Sequence, residues 1–94
     1  MTAEDRARAW AGLSVVGRSV TIGGVRATIT SGPRMYGGTS VELTLRVDRD
    51  GEDVTPEHLN PVIVTNPPLG IMDGDRLRED PEAALMQTVA RLVK

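Results

Sequence analysis

One segment of the chain alternates apolar and polar residues without interruption from Val41 to Asp48. A period of two residues is the pattern of a β-strand with one buried face and one solvent-exposed face. The apolar positions, which should pack on a core, are Val41, Leu43, Leu45 and Val47. The segment runs into Asp50-Gly51, a dipeptide preferred in tight hairpin turns. The pattern therefore predicts an antiparallel sheet that is covered on one face.

Two shorter strand-like segments, Arg18–Ile22 and Val25–Thr30, precede this one and flank Gly23-Gly24. Glycine at both positions of a two-residue loop tolerates the positive φ angles of a type I′ turn. That turn places Ile22 opposite Val25, so the apolar residues of both strands meet on one face. The register predicts a single covered face for the sheet, made of Val20, Ile22, Val25, Ala27, Ile29, Leu43, Leu45 and Val47.

The segment Ser31–Ser40 leaves two alternatives open. It forms either an open loop or a continuation of the second strand that turns at Gly37-Gly38. In the second case a two-residue turn alone puts Ile29 on the wrong face. One β-bulge, placed at Gly32-Pro33, restores the match between the two strands.

A short helix is predicted from Thr2 to Ala11. Thr2 and Asp5 have the spacing of a capping box, with Asp in place of the usual Glu. Gly12 stands where a glycine commonly ends a helix. Because so short a helix is marginal by itself, we expect Trp10 to hold it against the sheet.

The C-terminal segment predicts an amphipathic helix. Asp80 is a favourable N-cap and Pro81 is favourable at the first helical position. Apolar residues recur at steps of three and four and predict one buried face: Leu85, Met86, Val89, Leu92 and Val93.

The region between sheet and helix is less regular. Thr55–Leu59 predicts one helical turn, Val62-Ile63-Val64 a short strand buried on both faces, and Asp73-Gly74 a turn. The order of elements predicts a single α+β domain over residues 1–94, in which a small antiparallel β-meander of four to five strands packs against the two helices.

Composition and charge exclude several classes of protein. The chain has no cysteine, a net charge of −2 and a pI of about 5.3. Without cysteine there are no disulfides or thiolate metal sites, and without a basic stripe a nucleic-acid partner is disfavoured. No apolar segment approaches the roughly 20 residues that span a bilayer, and the charged N-terminus is unlike a signal peptide. We therefore expect a cytoplasmic protein that does not enter a membrane.

The candidates for catalysis or metal binding are weak. His58 is the only histidine, and its position in a Thr-Pro-Glu-His-Leu turn predicts a surface residue. The acidic run Asp48–Asp53 does not match a calcium loop, which needs Gly at the sixth position and Glu at the twelfth. We expect no catalytic residue, no cofactor and no metal, and hence no enzymatic activity.

Arg34, Met35 and Tyr36 form the candidate protein interface. These three residue types are enriched in interfaces, and here they lie in a segment rich in Gly and Pro, where binding residues often occur. The alternative interpretation is that Met35 and Tyr36 only cap the end of the sheet.

Two stretches near the C-terminus, Asn66-Pro67-Pro68-Leu69 and Arg78–Leu85, resemble the ends of small uncharacterised proteins from actinobacteria and their phages. The resemblance covers about twenty residues. It implies an origin and a compact architecture, and it carries no catalytic residue across.

These observations together predict a non-enzymatic protein-interaction module of phage origin that binds a host or phage protein. The alternative is a small virion or assembly protein that acts as a homo-oligomer. Because a small meander leaves two open sheet edges, we expect a homodimer.

Overall fold

The computed structural model describes all 94 residues. Its elements in chain order are α1 Ala3–Ala11, β1 Ser19–Ile22, β2 Val25–Tyr36, β3 Ser40–Arg49, β4 Glu52–Asp53, a 3₁₀ turn at Glu57–Leu59, β5 Val62–Thr65, β6 Gly70–Asp73, β7 Arg76–Glu79 and α2 Pro81–Val93. The predicted α+β class, with an antiparallel sheet between a short first helix and a longer last helix, is confirmed. Both predicted caps are present, since Thr2 and Asp5 form the capping box and Asp80 accepts from the Ala83 N–H.

The main sheet is an antiparallel meander in the order β1-β2-β3. The far edge of β3 is shared by two strands, with β4 at one end and β5 at the other. The predicted first hairpin is confirmed, since Ile22 pairs with Val25 and both glycines of the turn have positive φ. A separate two-stranded hairpin, β6–β7, follows the main sheet.

The segment Ser31–Ser40 is a bulged hairpin and not an open loop. Tyr36 pairs with Ser40, so the turn has three residues, one more than predicted. The register then shifts twice, on either side of Ser31, and Ile29 comes to lie opposite Leu45. A three-residue turn by itself would pair Ile29 with Val47, which is also on the covered face, and the two one-residue shifts together move the register by two residues. Because side chains alternate with a period of two, the covered face stays in phase along β2 and β3.

Glycine is required at position 32 in this bulge. Gly32 has a φ of +85°, and a Cβ atom there would lie 2.5 Å from the carbonyl oxygen of Glu42 and 3.1 Å from the Leu43 Cα. The backbones of β2 and β3 therefore approach each other more closely than any side chain allows.

The predicted covered face is the core of the protein. Val25, Ala27, Ile29, Leu43, Leu45 and Val47 are all buried. Val20 and Ile22 are only partly buried because they lie in the edge strand β1. Both helices pack on this face.

Trp10 and Leu85 connect the helices to the core, and both are fully buried. The indole N–H of Trp10 donates a hydrogen bond of 2.7 Å to the carbonyl oxygen of Pro68. The expected role of Trp10 in holding the first helix in place is thus fulfilled by packing and by one directed bond.

One local prediction is wrong. The segment Val62-Ile63-Val64 is a strand, but it is not buried on both faces, because Ile63 pairs with Glu42 on the uncovered face of the sheet and is 40% exposed. The turn predicted at Asp73-Gly74 is present, and it connects the strands of the hairpin β6–β7, whose loop residues are Gly74 and Asp75.

The molecule is flat, with extents of 40 × 33 × 19 Å. Its accessible surface is 5650 Å², compared with about 5,300 Å² for a typical monomer of this mass. No helix is both long enough and apolar enough to cross a membrane.

Candidate functional site

The β6–β7 hairpin exposes two large apolar side chains next to each other. Met72 pairs with Leu77, so both side chains lie on the same face of the hairpin, and they are 62% and 75% exposed. We call Met72 and Leu77 the hairpin patch. Singly exposed apolar residues are common on protein surfaces, but an adjacent pair at the end of a projecting hairpin leaves a continuous apolar surface in water.

The hairpin is held to the rest of the protein at its base and by contacts between β6 and α2. Leu69, just before β6, is buried, and its carbonyl accepts a 2.8 Å hydrogen bond from the N–H of Asp80, just after β7. Asp80 is also the N-cap of α2. Further along the hairpin, every residue of β7 is exposed. An isolated two-stranded hairpin is marginally stable in water, and β7, the outer of the two strands, adds no buried residue.

A shallow groove of about 440 Å³ separates the hairpin patch from the start of α1. The hairpin side of the groove carries Leu77 and Glu79, and the α1 side carries Met1 and Arg6. Arg6 and Glu79 have opposite charges, yet neither forms an ion pair within the chain. The groove is thus apolar at its floor, with one unpaired charge of each sign.

The outer edge of β7 has no strand partner. Hydrogen-bonded and non-hydrogen-bonded pairs alternate along an antiparallel ladder. Because Asp80 donates to Leu69, the next pair, Gly70 with Glu79, and the pair Met72 with Leu77 are non-hydrogen-bonded. The N–H and C=O groups of Leu77 and Glu79 therefore point outward from the hairpin.

The outer edge of β5 is also unpaired, since β5 pairs only with β3. Asn66 donates to the Thr39 carbonyl at 2.9 Å, and by the same alternation the backbone groups of Ile63 and Thr65 point outward. The strand contains no charged residue. Edge strands are usually protected by charge or proline, but here Pro61 and Pro67 lie outside the strand and leave the edge at Ile63 and Thr65 open.

The candidate interface residues Arg34, Met35 and Tyr36 lie at the exposed end of β2. Arg34 pairs with Glu42 in register, and its Nε donates to the Glu42 Oε1 at 2.8 Å. Met35 lies opposite the buried Val41, on the covered face. Side chains alternate along a strand, so Arg34 and Tyr36 lie on the open face and Met35 on the other. The structure does not bring the three residues onto one surface.

Arginine and acidic residues pair across the open face of the sheet. Arg26 Nε is 3.3 Å from the Asp48 carboxylate, and Arg46 Nε is 4.0 Å from that of Asp53. With Arg34 and Glu42, these pairs place an acid beside each arginine of the face. Such a surface offers no excess of positive charge to a phosphate backbone.

The acidic run Asp48–Asp53 stabilises the hairpin in which it lies. The Thr55 hydroxyl and the Thr55 backbone N–H donate to the Asp53 carboxylate, and these bonds lower the Asp53 pKa below its usual value of 3.8. Asp50 occupies the turn with a φ of 53°. No three acidic or histidine side chains lie close enough together to hold a metal ion.

His58 is exposed and lines a groove between the 3₁₀ turn and the end of α2. The charged residues that line this groove are Arg49 and Lys94, and no carboxylate faces His58 there. A catalytic histidine is normally oriented by an acidic or carbonyl partner, and His58 has no hydrogen-bond partner of either kind.

No protein-family model matches the chain, and no curated protein or solved structure matches it either. The geometry of the chain is therefore the only guide to a site. Met72 and Leu77 are not among the site residues predicted from the sequence, although the sequence contains the signal for their hairpin. Arg76-Leu77-Arg78 alternates polar and apolar residues, and together with the apolar pair Ile71-Met72 it flanks the turn dipeptide Gly74-Asp75, which favours a hairpin.

Proposed function

We propose that this chain is a non-enzymatic protein-interaction module and that the hairpin patch is its contact surface. The observation that carries the proposal is the exposure of Met72 and Leu77 at directly opposite positions of a projecting hairpin. Burying two such side chains in an interface is worth about 1.5–3 kcal/mol each at full burial. Methionine is enriched at interfaces because its flexible side chain adapts to a partner surface.

The contrast with the rest of the surface supports this choice of site. The open face of the sheet carries three arginine–acid pairs that are already satisfied within the chain, and its exposed Tyr36 and Ile63 are less exposed than Met72 and Leu77. The four grooves are shallow, and none combines a histidine with a carboxylate. The proposal extends to a cytoplasmic protein whose partner belongs to a phage or its bacterial host, as the C-terminal resemblance implies.

The test compares a double variant, M72S/L77S, with a matched control, Val16→Ser. Val16 is also a strongly exposed apolar residue, and it lies in the turn before β1, outside the hairpin. Each protein is immobilised and exposed to extract of the organism that encodes it, and the retained protein is purified and titrated by calorimetry. Wild type and V16S should bind that protein equally, and M72S/L77S at least about tenfold more weakly.

Equal affinity of all three proteins would exclude the hairpin patch as the contact surface. Because both side chains are exposed, the double variant should keep its denaturation midpoint close to that of wild type. Measuring that midpoint shows whether a loss of binding comes from the surface or from unfolding.

A second candidate function, a homo-oligomeric assembly protein, is favoured by the edge of β5. This edge is uncharged, its backbone groups at Ile63 and Thr65 are free, and Ile63 is exposed. The other uncharged edge strand, β1, packs against α2 and is flanked by the Arg18–Glu82 ion pair. Two copies of β5 paired about a two-fold axis would place apolar residues opposite each other and join two sheets into one, which gives the proposed homodimer.

Sedimentation at micromolar concentration tests this assembly. Wild type should sediment at about twice the chain mass of 10.1 kDa, and Ile63→Lys should sediment as a monomer because a charge blocks edge pairing. The control V16K adds the same charge in the turn before β1 and should remain a dimer. A wild-type monomer at all concentrations would contradict the homodimer and leave the first candidate.

A further inference from the structure

We infer that the free edge of β7 accepts an extended segment of a partner protein in which one apolar residue lies between two acidic residues. This inference rests on the proposed function and adds the chemistry of the partner. The mode is strand addition, in which main-chain hydrogen bonds provide affinity and alternate side chains provide specificity.

The backbone of β7 is available for such pairing. Leu77 and Glu79 direct their N–H and C=O groups away from β6, and no other strand pairs there. All four residues of β7 are exposed, so no side chain from elsewhere covers this edge. A third strand would also relieve the marginal stability of a two-stranded hairpin.

The side chains of β7 specify what an added strand should carry. Arg76 and Arg78 lie on one face of the hairpin, and Leu77 lies on the other, next to Met72. Arg76 forms no ion pair in the chain, and Arg78 has only two exposed contacts of 3.7 Å, to Asp73 and Asp80. Opposite charges that face each other across strands are stabilising, so acidic residues are favoured opposite both arginines and an apolar residue opposite Leu77.

A second copy of the chain is a poor occupant of this edge. In an antiparallel two-fold pairing, residues on the same face must lie opposite each other. A register centred on Leu77 puts Arg76 opposite Arg78 of the second copy, one centred on either arginine puts two copies of that arginine together, and one centred on Glu79 puts the two Glu79 side chains together. Each of these arrangements places like charges opposite each other, which is destabilising.

The chain also lacks the required segment elsewhere in its sequence. Acidic residues two positions apart occur four times, and the residues between them are Arg49, Gly51, Gly74 and Pro81. None of these is an apolar residue that favours a strand. The occupant is therefore a segment of a different protein.

Two synthetic peptides test the inference: acetyl-Thr-Glu-Val-Glu-Thr-amide and the same peptide with Lys in place of Glu. Binding is followed by amide chemical shifts of the isotope-labelled full chain. The Glu peptide should shift the Leu77 and Glu79 amides and bind about tenfold more tightly than the Lys peptide, because two attractive charge pairs replace two repulsive ones.

Reversing the charge of one β7 arginine should reduce the preference of the protein for the Glu peptide over the Lys peptide. Arg76→Glu should weaken the Glu peptide and strengthen the Lys peptide, each by about threefold or more. Arg91→Glu reverses an arginine on α2 that likewise has no ion pair, and it should leave the ratio between the peptides unchanged. Well-dispersed amide spectra show that each variant is folded.

The inference would be overturned if the two peptides bound equally or if neither bound. It would also be overturned if the peptides shifted the amide signals of Ile63 and Thr65 in place of those of Leu77 and Glu79. Protection of the Leu77 amide in the protein alone, increasing with its concentration, would assign the edge to a second copy and would also overturn it. If only the inference fails, the M72S/L77S variant still loses its natural partner. If the proposed function fails, that variant keeps the partner whatever the peptides do.

Discussion

At the scale of single residues, the bulge in β2 depends on one glycine. Gly32 combines a positive φ with a backbone contact that leaves no room for a Cβ atom. The backbone of Gly24 is equally left-handed, with a φ of +81°, but no atom lies within 4 Å of its potential Cβ. A substitution at Gly24 therefore measures backbone strain alone, whereas one at Gly32 measures backbone strain together with a steric clash.

Gly32→Ala should lower the free energy of unfolding by about 2–5 kcal/mol, since a steric clash of about 1–3 kcal/mol adds to left-handed strain of about 1–2 kcal/mol. Gly24→Ala should cost only the strain. Urea denaturation at neutral pH measures both variants. Equal losses would show that β2 and β3 separate at the bulge at little cost.

Thr55 controls the titration of one surface carboxyl. Its hydroxyl, and then its backbone N–H, stabilise the charged form of Asp53, and Arg46 adds a weaker effect. Because the folded-state pKa lies below the unfolded one, the resulting stability is fully present above about pH 4 and is lost as the pH falls through the folded pKa.

Thr55→Val should raise the Asp53 pKa toward 3.8 and leave Asp5 as it is. Asp5 serves as an internal control, because its pKa is lowered by the backbone and side-chain hydrogen bonds with Thr2 in the capping box. Carboxyl carbon chemical shifts measured between pH 2 and pH 6 follow both groups. An unchanged Asp53 titration would exclude the Thr55 hydroxyl as the main cause of the lowered pKa and leave the backbone N–H and Arg46.

At the scale of elements, helix α2 and the β6–β7 hairpin before it differ in how much they contribute to stability. Helix α2 buries Ala84, Leu85 and Val89 against the sheet. The hairpin immediately before it buries none of the residues of β7. The helix therefore stabilises the domain, and the hairpin adds surface at little gain in stability.

Leu85→Ala should destabilise the domain by about 2–4 kcal/mol, because it removes a fully buried side chain and leaves a cavity. Leu77→Ala is the matched control at an exposed position and should change stability by less than about 0.5 kcal/mol. Chemical denaturation followed by Trp10 fluorescence compares them. A wild-type midpoint for L85A would mean that the helix is not docked through this residue.

At the scale of the whole molecule, stability comes from one aliphatic core between one sheet face and two helices. Most of its buried members come from α1, β2, β3 and α2, and the others are Val15, Leu59, Val62 and Leu69. The carboxylates are engaged elsewhere, as in the three arginine pairs of the open face. Folding therefore depends on apolar contacts between distant parts of the chain.

Dialysis against EDTA should leave the melting temperature unchanged, because no group of three acidic or histidine side chains is placed to bind a metal. Melting before and after dialysis, with readdition of calcium as the control, measures this. A clear drop that calcium reverses would point to a metal at Asp48–Asp53.

Local patterns in the sequence were sufficient for the antiparallel sheet, its covered face, both helices and their caps. The signals are the alternation of apolar residues, the Gly-Gly turns and the capping residues. Each involves residues only a few positions apart, so it can be recognised without knowing the fold. The bulge at Gly32 belongs to one of the two alternatives that the sequence leaves open for Ser31–Ser40. A bulge is needed to keep the apolar residues on one face only if the second strand continues through a two-residue turn.

Only the tertiary structure decided which strands lie at an edge and which apolar residues remain in water. Ile63 belongs to an apolar run typical of a buried strand, yet β5 has a partner on one side only. Arg34, Met35 and Tyr36 are adjacent in sequence, but the pleat of β2 divides them between two faces. Met72 and Leu77 have ordinary residue types for a core, and they are exposed because the hairpin that carries them projects from the core. The physical reason is that burial depends on what packs against an element, and that is set by contacts between residues far apart in the chain.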